Sequence, residues 1–578
     1  MLSKQFIATR AIAFAMLAST AFAGNGPGGP GGTGGGGGTI APPAPFDTLH
    51  FSSAQNCALC HNGLTDQGGA DVSLERDWGA TMMAHSSRDP LWQAKVASEL
   101  ARAPQLAEVI HAKCSRCHMP MANVELSYSG EPIAILVGPA SGDGLLDPAH
   151  PLHDAAIEGV SCTLCHQIED ENLGLLEGFS GHYSIADHAV PAERTIYGPV
   201  PSPRINPMQN QAQYTPTYAL HASDSALCAT CHNLKTPFVD ADGNLDPLVD
   251  PTESEFDPKN EFAEQMPYSE WEYSAFGPGG ATPRSCQSCH MPETDGVKLS
   301  NRPRWLTPVE GFSRHRFAGA NTTMLDILDR NRGALGVSST GLASAIENAR
   351  GMLAGAAKLS LIEAGVEGSE LKVVLEVVNR SGHKLPTSFP SRRVWLHLKV
   401  TDGSGHVVFE SGKLQGDGRI AGADGDADPS AFEPHHEKIT SADQVQIYEP
   451  VMGDTDRHVT HTLLRAGSYL KDNRLTPAGF VKDDAPADVQ VAGAALDDAD
   501  FDDGVDRLAY RVPVSGSGRF TVEIELNYQT LSWPFLNDLF QDDDLPEVGR
   551  FRKLYEDGGA ILAETIDSLV VSLSVPGE

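Results

Sequence analysis

The chain has 578 residues, and 42 Lys and Arg against 76 Asp and Glu leave a formal net charge of −34. So acidic a surface excludes nucleic acid and anionic membrane surfaces as partners. The length is ample for more than one domain, and the ten cysteines all fall in closely spaced pairs.

Read from the N-terminus, residues 1–23 form an export signal. Lys4 and Arg10 precede a short apolar stretch, and Ala21-Phe22-Ala23 is a small-residue cleavage site. That stretch is too short to span a bilayer, and no later run comes close. The expectation is an exported chain, periplasmic or extracellular, with no transmembrane segment. Residues 24–45 are mostly Gly and Pro and read as a disordered linker that buries no core.

Five Cys-x-x-Cys-His motifs then absorb every cysteine: Cys57 and Cys60 with His61, Cys114 and Cys117 with His118, Cys162 and Cys165 with His166, Cys228 and Cys231 with His232, and Cys286 and Cys289 with His290. This is the attachment pattern of c-type haem, in which two thiols bond the porphyrin and the adjacent imidazole ligates the iron. With 21 His in 578 residues, a His follows a given pair by chance about one time in 28. Redox dithiols do not require the histidine, and five pairs do not combine evenly into tetrahedral zinc sets. A disulfide scaffold, the usual use of cysteine in an exported chain, is left no free thiol. The expected cofactors are five covalently bound haem c groups.

The motifs crowd into residues 46–320, about one per 55 residues, too dense for five domains with separate cores. The expectation is a single pentahaem domain in which the haems form much of the core. Pro90 to His118 has helical periodicity with a break at Pro104, whereas 197–207 and 240–258 read as loops. Helical stretches over 324–328 and 342–357 make a connector spanning 321–357. Beyond it the period changes to strand-like runs, 372–378, 394–400, 406–409 and 520–526, with turn residues such as Asp402 to Gly405 between them. This predicts a β-sandwich over 358–578. The expected fold class is therefore multidomain: a mostly α and irregular multihaem cytochrome c domain followed by an all-β sandwich domain.

Whether such a site relays electrons or reacts with substrate depends on the sixth iron ligand, since a second His or Met closes the position. His153, His182, His221 and His315 are the leading distal candidates. His50, His85, His111, Met83 and, from the β-region, His383 are further ones. The surplus of histidine favours closed sites, and so a carrier over a catalyst. Acidic runs at 424–428 and 497–506 have some alternation of a calcium loop but lack Gly in register, so calcium is only weakly indicated and solvated loops are preferred. His435, His436, His458 and His461 are weaker metal candidates.

The residues around the motifs resemble the multihaem c-type cytochromes related to the tetrahaem electron carrier of ammonia oxidisers. The matching pieces are 117–120, 159–166, 227–233, 264–271 and 285–292, while 382–387 and 469–474 look like the β-domain of larger members. The fifth motif and the added β-region depart from the tetrahaem pattern. The resemblance implies electron relay in periplasmic or extracellular respiration, with redox proteins or an extracellular acceptor as partners. The alternatives are an oxidoreductase with one open haem and a structural subunit that self-assembles or joins an outer-membrane complex. The absence of a Cys-x-x-Cys-Lys variant weighs against the first of these alternatives.

Overall fold

The motifs sit on short helices, two of them capped by a side chain, in a computed structural model that describes residues 39–136, 144–245 and 261–575. The expected signal sequence, residues 24–38 of the expected linker and part of the expected 240–258 loop lie outside those residues. The motif helices are α1 (Ala54–His61), α3 (Ala107–His118), α4 (Cys162–Cys165), α5 (Ser225–His232) and α6 (Cys286–His290). Asp224 caps α5 by accepting the Ala226 N–H, and Ser285 caps α6 by accepting that of Ser288. Before α3 runs α2 (Pro90–Arg102), opened by Asp89 as N-cap with Pro90 at the first helical position. The break expected at Pro104 is a single 3-10 turn, Pro104–Leu106.

A helix α7 (Leu342–Ala356) leads directly into strand β1 (Ala357–Glu367). Strands β2 (Glu370–Asn379), β3 (Arg393–Thr401), β4 (Val407–Ser411), β5 (Lys438–Ile439), β6 (Ile447–Tyr448), β7 (Val505–Pro513), β8 (Gly518–Gln529) and β9 (Glu564–Val575) follow. One sheet has the order β5-β7-β2-β1. The other runs β4-β3-β8-β9, with β6 pairing β3. The register sets Leu375 beside Leu508 in the first sheet and Leu398 beside Ile524 in the second. Along β2 the alternate residues Leu371, Val373, Leu375 and Val377 are fully buried. Their burial stabilises the fold by about 1.5–3 kcal/mol each. These inward faces pack with Leu396, Leu398, Val522 and Ile524 of the opposite sheet in one core, which makes the pair a sandwich.

The sandwich is fused to the motif region. Met266 and Leu353 belong to the sandwich core. Leu91 and Ala94 of α2 share a second core with Phe535, Val548 and Phe551 near the C-terminus. The polar seam is well paired. Arg102 reaches Asp538 and Asp542 at 2.7 Å each, and the Glu270 carboxylate accepts from Arg474 at 2.8 Å. No described helix is long and apolar enough to cross a membrane.

Candidate functional site

All ten cysteines and all five motif histidines line one continuous cavity of about 2420 Å³, several times the ~300–1,000 Å³ of a site for one small ligand. The ten thiols form no disulfides. Sulfurs from different motifs nevertheless meet. The Cys57 thiol is pushed well up by its contact with Cys162, as is Cys117 by Cys231 and Cys228 by Cys286. Burial and the nearby thiol of Cys231 raise Cys165 to about 12. The first motif therefore adjoins the third, and the fourth adjoins the second, third and fifth.

Four motif imidazoles are oriented from behind. His61 Nδ1 donates to Leu299 O at 2.6 Å, His118 Nδ1 to Ser86 O at 3.0 Å, His166 Nδ1 to Tyr197 O at 2.7 Å and His290 Nδ1 to Ala318 O at 2.6 Å. A carbonyl can only accept, so Nδ1 carries the proton and the lone pair is left on Nε2, as a metal ligand requires. Burial lowers His118 and His232 to about 4 and also lowers His61 and His166, which keeps these rings neutral. Trp92 stacks on His118 with ring centres 4.7 Å apart and 10° between planes, holding that ring from its face.

Two further imidazoles stand opposite motif rings. His315 faces His166 at 6.2 Å between centres and 27° between planes, and His383 faces His290 at 6.3 Å and 16°. A metal bound by Nε2 on both sides at about 2 Å sets ring centres about 6 Å apart. The outer rings are prepared in the same way, with His315 Nδ1 donating to Ser313 O at 3.1 Å and His383 Nδ1 to Lys384 O at 2.9 Å. Among the described residues no second imidazole stands at this spacing from His61, His118 or His232. Met83 lines the cavity.

The other candidate histidines lie away from the cavity lining. His153 donates from Nδ1 to Leu145 O at 3.0 Å. His182 bonds Phe179 O through Nδ1 at 2.7 Å, and its Nε2 accepts from Arg116 at 2.6 Å. His221 donates from Nε2 to Ile168 O at 2.9 Å, which leaves the lone pair on Nδ1. His111 accepts the Ile135 N–H on Nδ1 at 3.2 Å, so its Nε2 is the protonated atom. His50 is fully buried with Nδ1 against Glu125 at 3.2 Å. His85 is buried with neither ring nitrogen hydrogen-bonded, and burial lowers it to about 3.

Composition and spacing gave no sign of the cationic lining. Arg204, Arg284, Arg302, Arg316, Arg380 and Arg392 face the cavity, and none forms an ion pair with a carboxylate among the described residues. In so acidic a chain this is unusual, and it suits the carboxylates of bound porphyrins. Tyr528 also lines the cavity, with a buried hydroxyl that has no hydrogen-bond partner among the described residues. Thiol pairs, ring nitrogens with free lone pairs, an apolar wall and unpaired guanidinia together fit covalently attached haem.

No family model matches the chain, and no curated protein matches it in sequence. One solved structure is similar, a penta-heme cytochrome c552 from Thermochromatium tepidum. The match covers 92% of this chain and 100% of that one, at 16% identity and a TM-score of 0.49. A likeness at that level transfers no residue role.

The acidic runs are used within the protein. Asp426 is buried against Arg393 at 2.6 and 2.8 Å, and Asp428 accepts from Ser430. His435, Asp498 and Asp506 do cluster closely enough for a metal ion. However, His435 Nδ1 accepts from Gln446 at 3.0 Å and from Asn473 at 3.1 Å, so Nε2 holds the proton and donates to Asp498 at 3.0 Å. The orientations of both amides are fixed by other bonds: Gln446 Oε1 accepts the His436 N–H and Asn473 Oδ1 that of Glu449. A protonated Nε2 is not a ligand, and the cluster is a structural hydrogen-bond network.

Proposed function

We propose that the chain is an exported pentahaem c-type cytochrome that relays electrons in the periplasm or outside the cell. The observation that carries this reading is the convergence of five thiol–imidazole motifs on one cavity, with thiols of neighbouring motifs in contact. When bound, haem supplies one-electron Fe(III)/Fe(II) exchange. The chain's part is to hold each group at fixed spacing through two thiols and to orient four of the five motif imidazoles through backbone acceptors. It also meets negative charge with the arginines that line the cavity. We assign His315 and His383 as sixth ligands opposite His166 and His290. The sequence resemblance to the multihaem cytochromes related to the tetrahaem carrier of ammonia oxidisers supports the same reading, and redox proteins are the expected partners.

The test is transient reduction of the purified ferric protein. One electron delivered per molecule should redistribute among the haems within the mixing time, so that the optical change is independent of the donor used. Separate slow phases for individual haems would refute the relay. A second reading has an observation in its favour: among the described residues, three motif imidazoles face no second imidazole. Of these, His232 lies within the field of Arg392, a cation suited to an anionic substrate. An oxidoreductase with one open haem at that motif would bind nitrite or cyanide with a spectral shift, and a relay with every position closed would not.

A further inference from the structure

Resting on the relay reading, an array buried in protein needs a place where electrons cross to a partner, and one surface departs from the rest of the molecule. We propose that the loop 298–306, together with Arg204, is the docking surface for an anionic redox protein that exchanges electrons through the first motif.

Four observations carry it. The loop is clasped directly onto that motif: His61 Nδ1 donates to Leu299 O at 2.6 Å, Asn301 N–H to Cys60 O at 2.8 Å and Asn301 Nδ2 to Asn62 O at 2.9 Å. Its outer side carries Trp305, 68% exposed, next to a motif whose Leu59 is 67% exposed. Trp305, Arg304 and Lys298 do not line the cavity, so bound haem does not account for their exposure. The charge is also inverted. Residues 298–306 hold three basic residues and no acidic residue in a chain where acids outnumber bases 76 to 42.

The loop is shaped to present these groups. Ser300 Oγ donates to Arg302 O at 2.6 Å and Lys298 Nζ to Arg304 O at 3.2 Å. The Arg204 guanidinium lies 5.5 Å from the Trp305 ring centre, a cation–π contact that supports the exposed indole. Lys298 and Arg304, which lie outside the cavity lining, pair with no carboxylate among the described residues. An exposed tryptophan with an arginine against its ring is the composition of an interface centre. At physiological salt, charges beyond about 8 Å are screened, so a partner at this loop meets the local cations more than the distant acidic surface. The partner's redox centre loses one electron and the array gains it, or the reverse, with no bond made or broken.

The test uses the full-length protein with its haems, and reduced flavodoxin as the probe, a protein-borne one-electron donor with an acidic surface. Haem reduction is followed by stopped-flow absorbance, with dithionite as a small-molecule control. The expected result is a flavodoxin rate that falls at least about tenfold between about 0.1 M and 1 M salt, a range in which the screening length is about 10 Å or less and the local cations dominate. The combined Lys298→Glu and Arg304→Glu variant should lose a similar factor at low salt, and Trp305→Ala should be slowed at every salt concentration. Dithionite rates should be unchanged in all of them. A charge-reversed variant that reacts with flavodoxin as fast as the wild type, or a wild-type rate that rises with salt, overturns the docking surface and leaves the relay standing. Haem content measured beforehand separates the two, because a chain without five haems overturns the relay and the docking surface with it.

Discussion

Replacing His383 by Ala isolates one proposed sixth ligand at little risk to the fold. The backbone at this position is held without the ring. Asn379 Nδ2 donates to His383 O at 2.8 Å, to Leu475 O at 2.9 Å and to Thr476 O at 3.1 Å, and Ser381 Oγ donates to His383 O at 2.8 Å. The substitution forfeits the bond from Nδ1 to Lys384 O, about 1 kcal/mol, a loss a protein of this size tolerates. With five motifs, removal of one sixth ligand should turn one haem in five from low-spin to high-spin. His315→Ala should do the same at the third motif. The two sites belong to different motifs, so the double variant should give two in five. Electron paramagnetic resonance with spin quantitation on the ferric protein reads these fractions, and free imidazole should restore the low-spin signal of the Ala variants. If both single variants keep the wild-type spin distribution at full haem content, the ring spacing has been misread and these histidines are not ligands.

Other consequences are simpler to check. Asp472 sits buried between Lys384 Nζ at 2.6 Å and Arg474 at 2.8 Å. Burial opposes its charge, but the two cations outweigh it and hold the carboxyl at about 2. Asp472→Asn strands the buried Lys384, leaves Arg474 with Glu270 as its one carboxylate, and should cost about 3–5 kcal/mol in denaturant unfolding at pH 7. The wild-type advantage should be full above the ordinary pKa of Asp, near 4, and vanish as pH falls through about 2. Asp89 moves the opposite way, since burial pushes its carboxyl up to about 6. Its contribution is full at low pH and is lost as pH rises from about 4 through 6. Asp89→Asn preserves a good helix cap and should flatten that part of the pH–stability curve, whereas an unchanged slope would exclude this group as its source. Leu375→Ala, in the middle of β2 and fully buried, should destabilise by about 2–5 kcal/mol without changing the haem spectrum. A spectral change there would mean that the sandwich core and the cavity are coupled.

The parts legible in the chain were those that depend on local spacing. Residues 372–378 are a run rich in Val and Leu, read as a strand from β-branched content and length, and the pleat buries every second residue along β2. Strand β9 was missed because Val570, 69% exposed, breaks any simple inside–outside rule in an edge strand. Strand β7 was missed because Asp506 is buried by hydrogen bonds to Tyr448 and Gln446, which no periodicity shows. The motif cysteines and histidines announce themselves, and their crowding implies a shared cavity. The role of the remaining histidines does not follow from spacing. Whether an imidazole offers Nε2 to a metal depends on what meets Nδ1: a carbonyl for His315 and His383, but an N–H for His111. Those partners lie at distances along the chain that no motif encodes. The arginine lining was invisible for the same reason, because it is recognised only by the carboxylates that are missing from around it.

The most direct test of the central claim is the intact mass of the denatured, purified protein together with a count of alkylatable thiols. The account predicts the mature chain plus five haem groups and no reactive thiol. A bare chain with ten alkylatable cysteines, or a mass showing disulfides in place of haem, would contradict it.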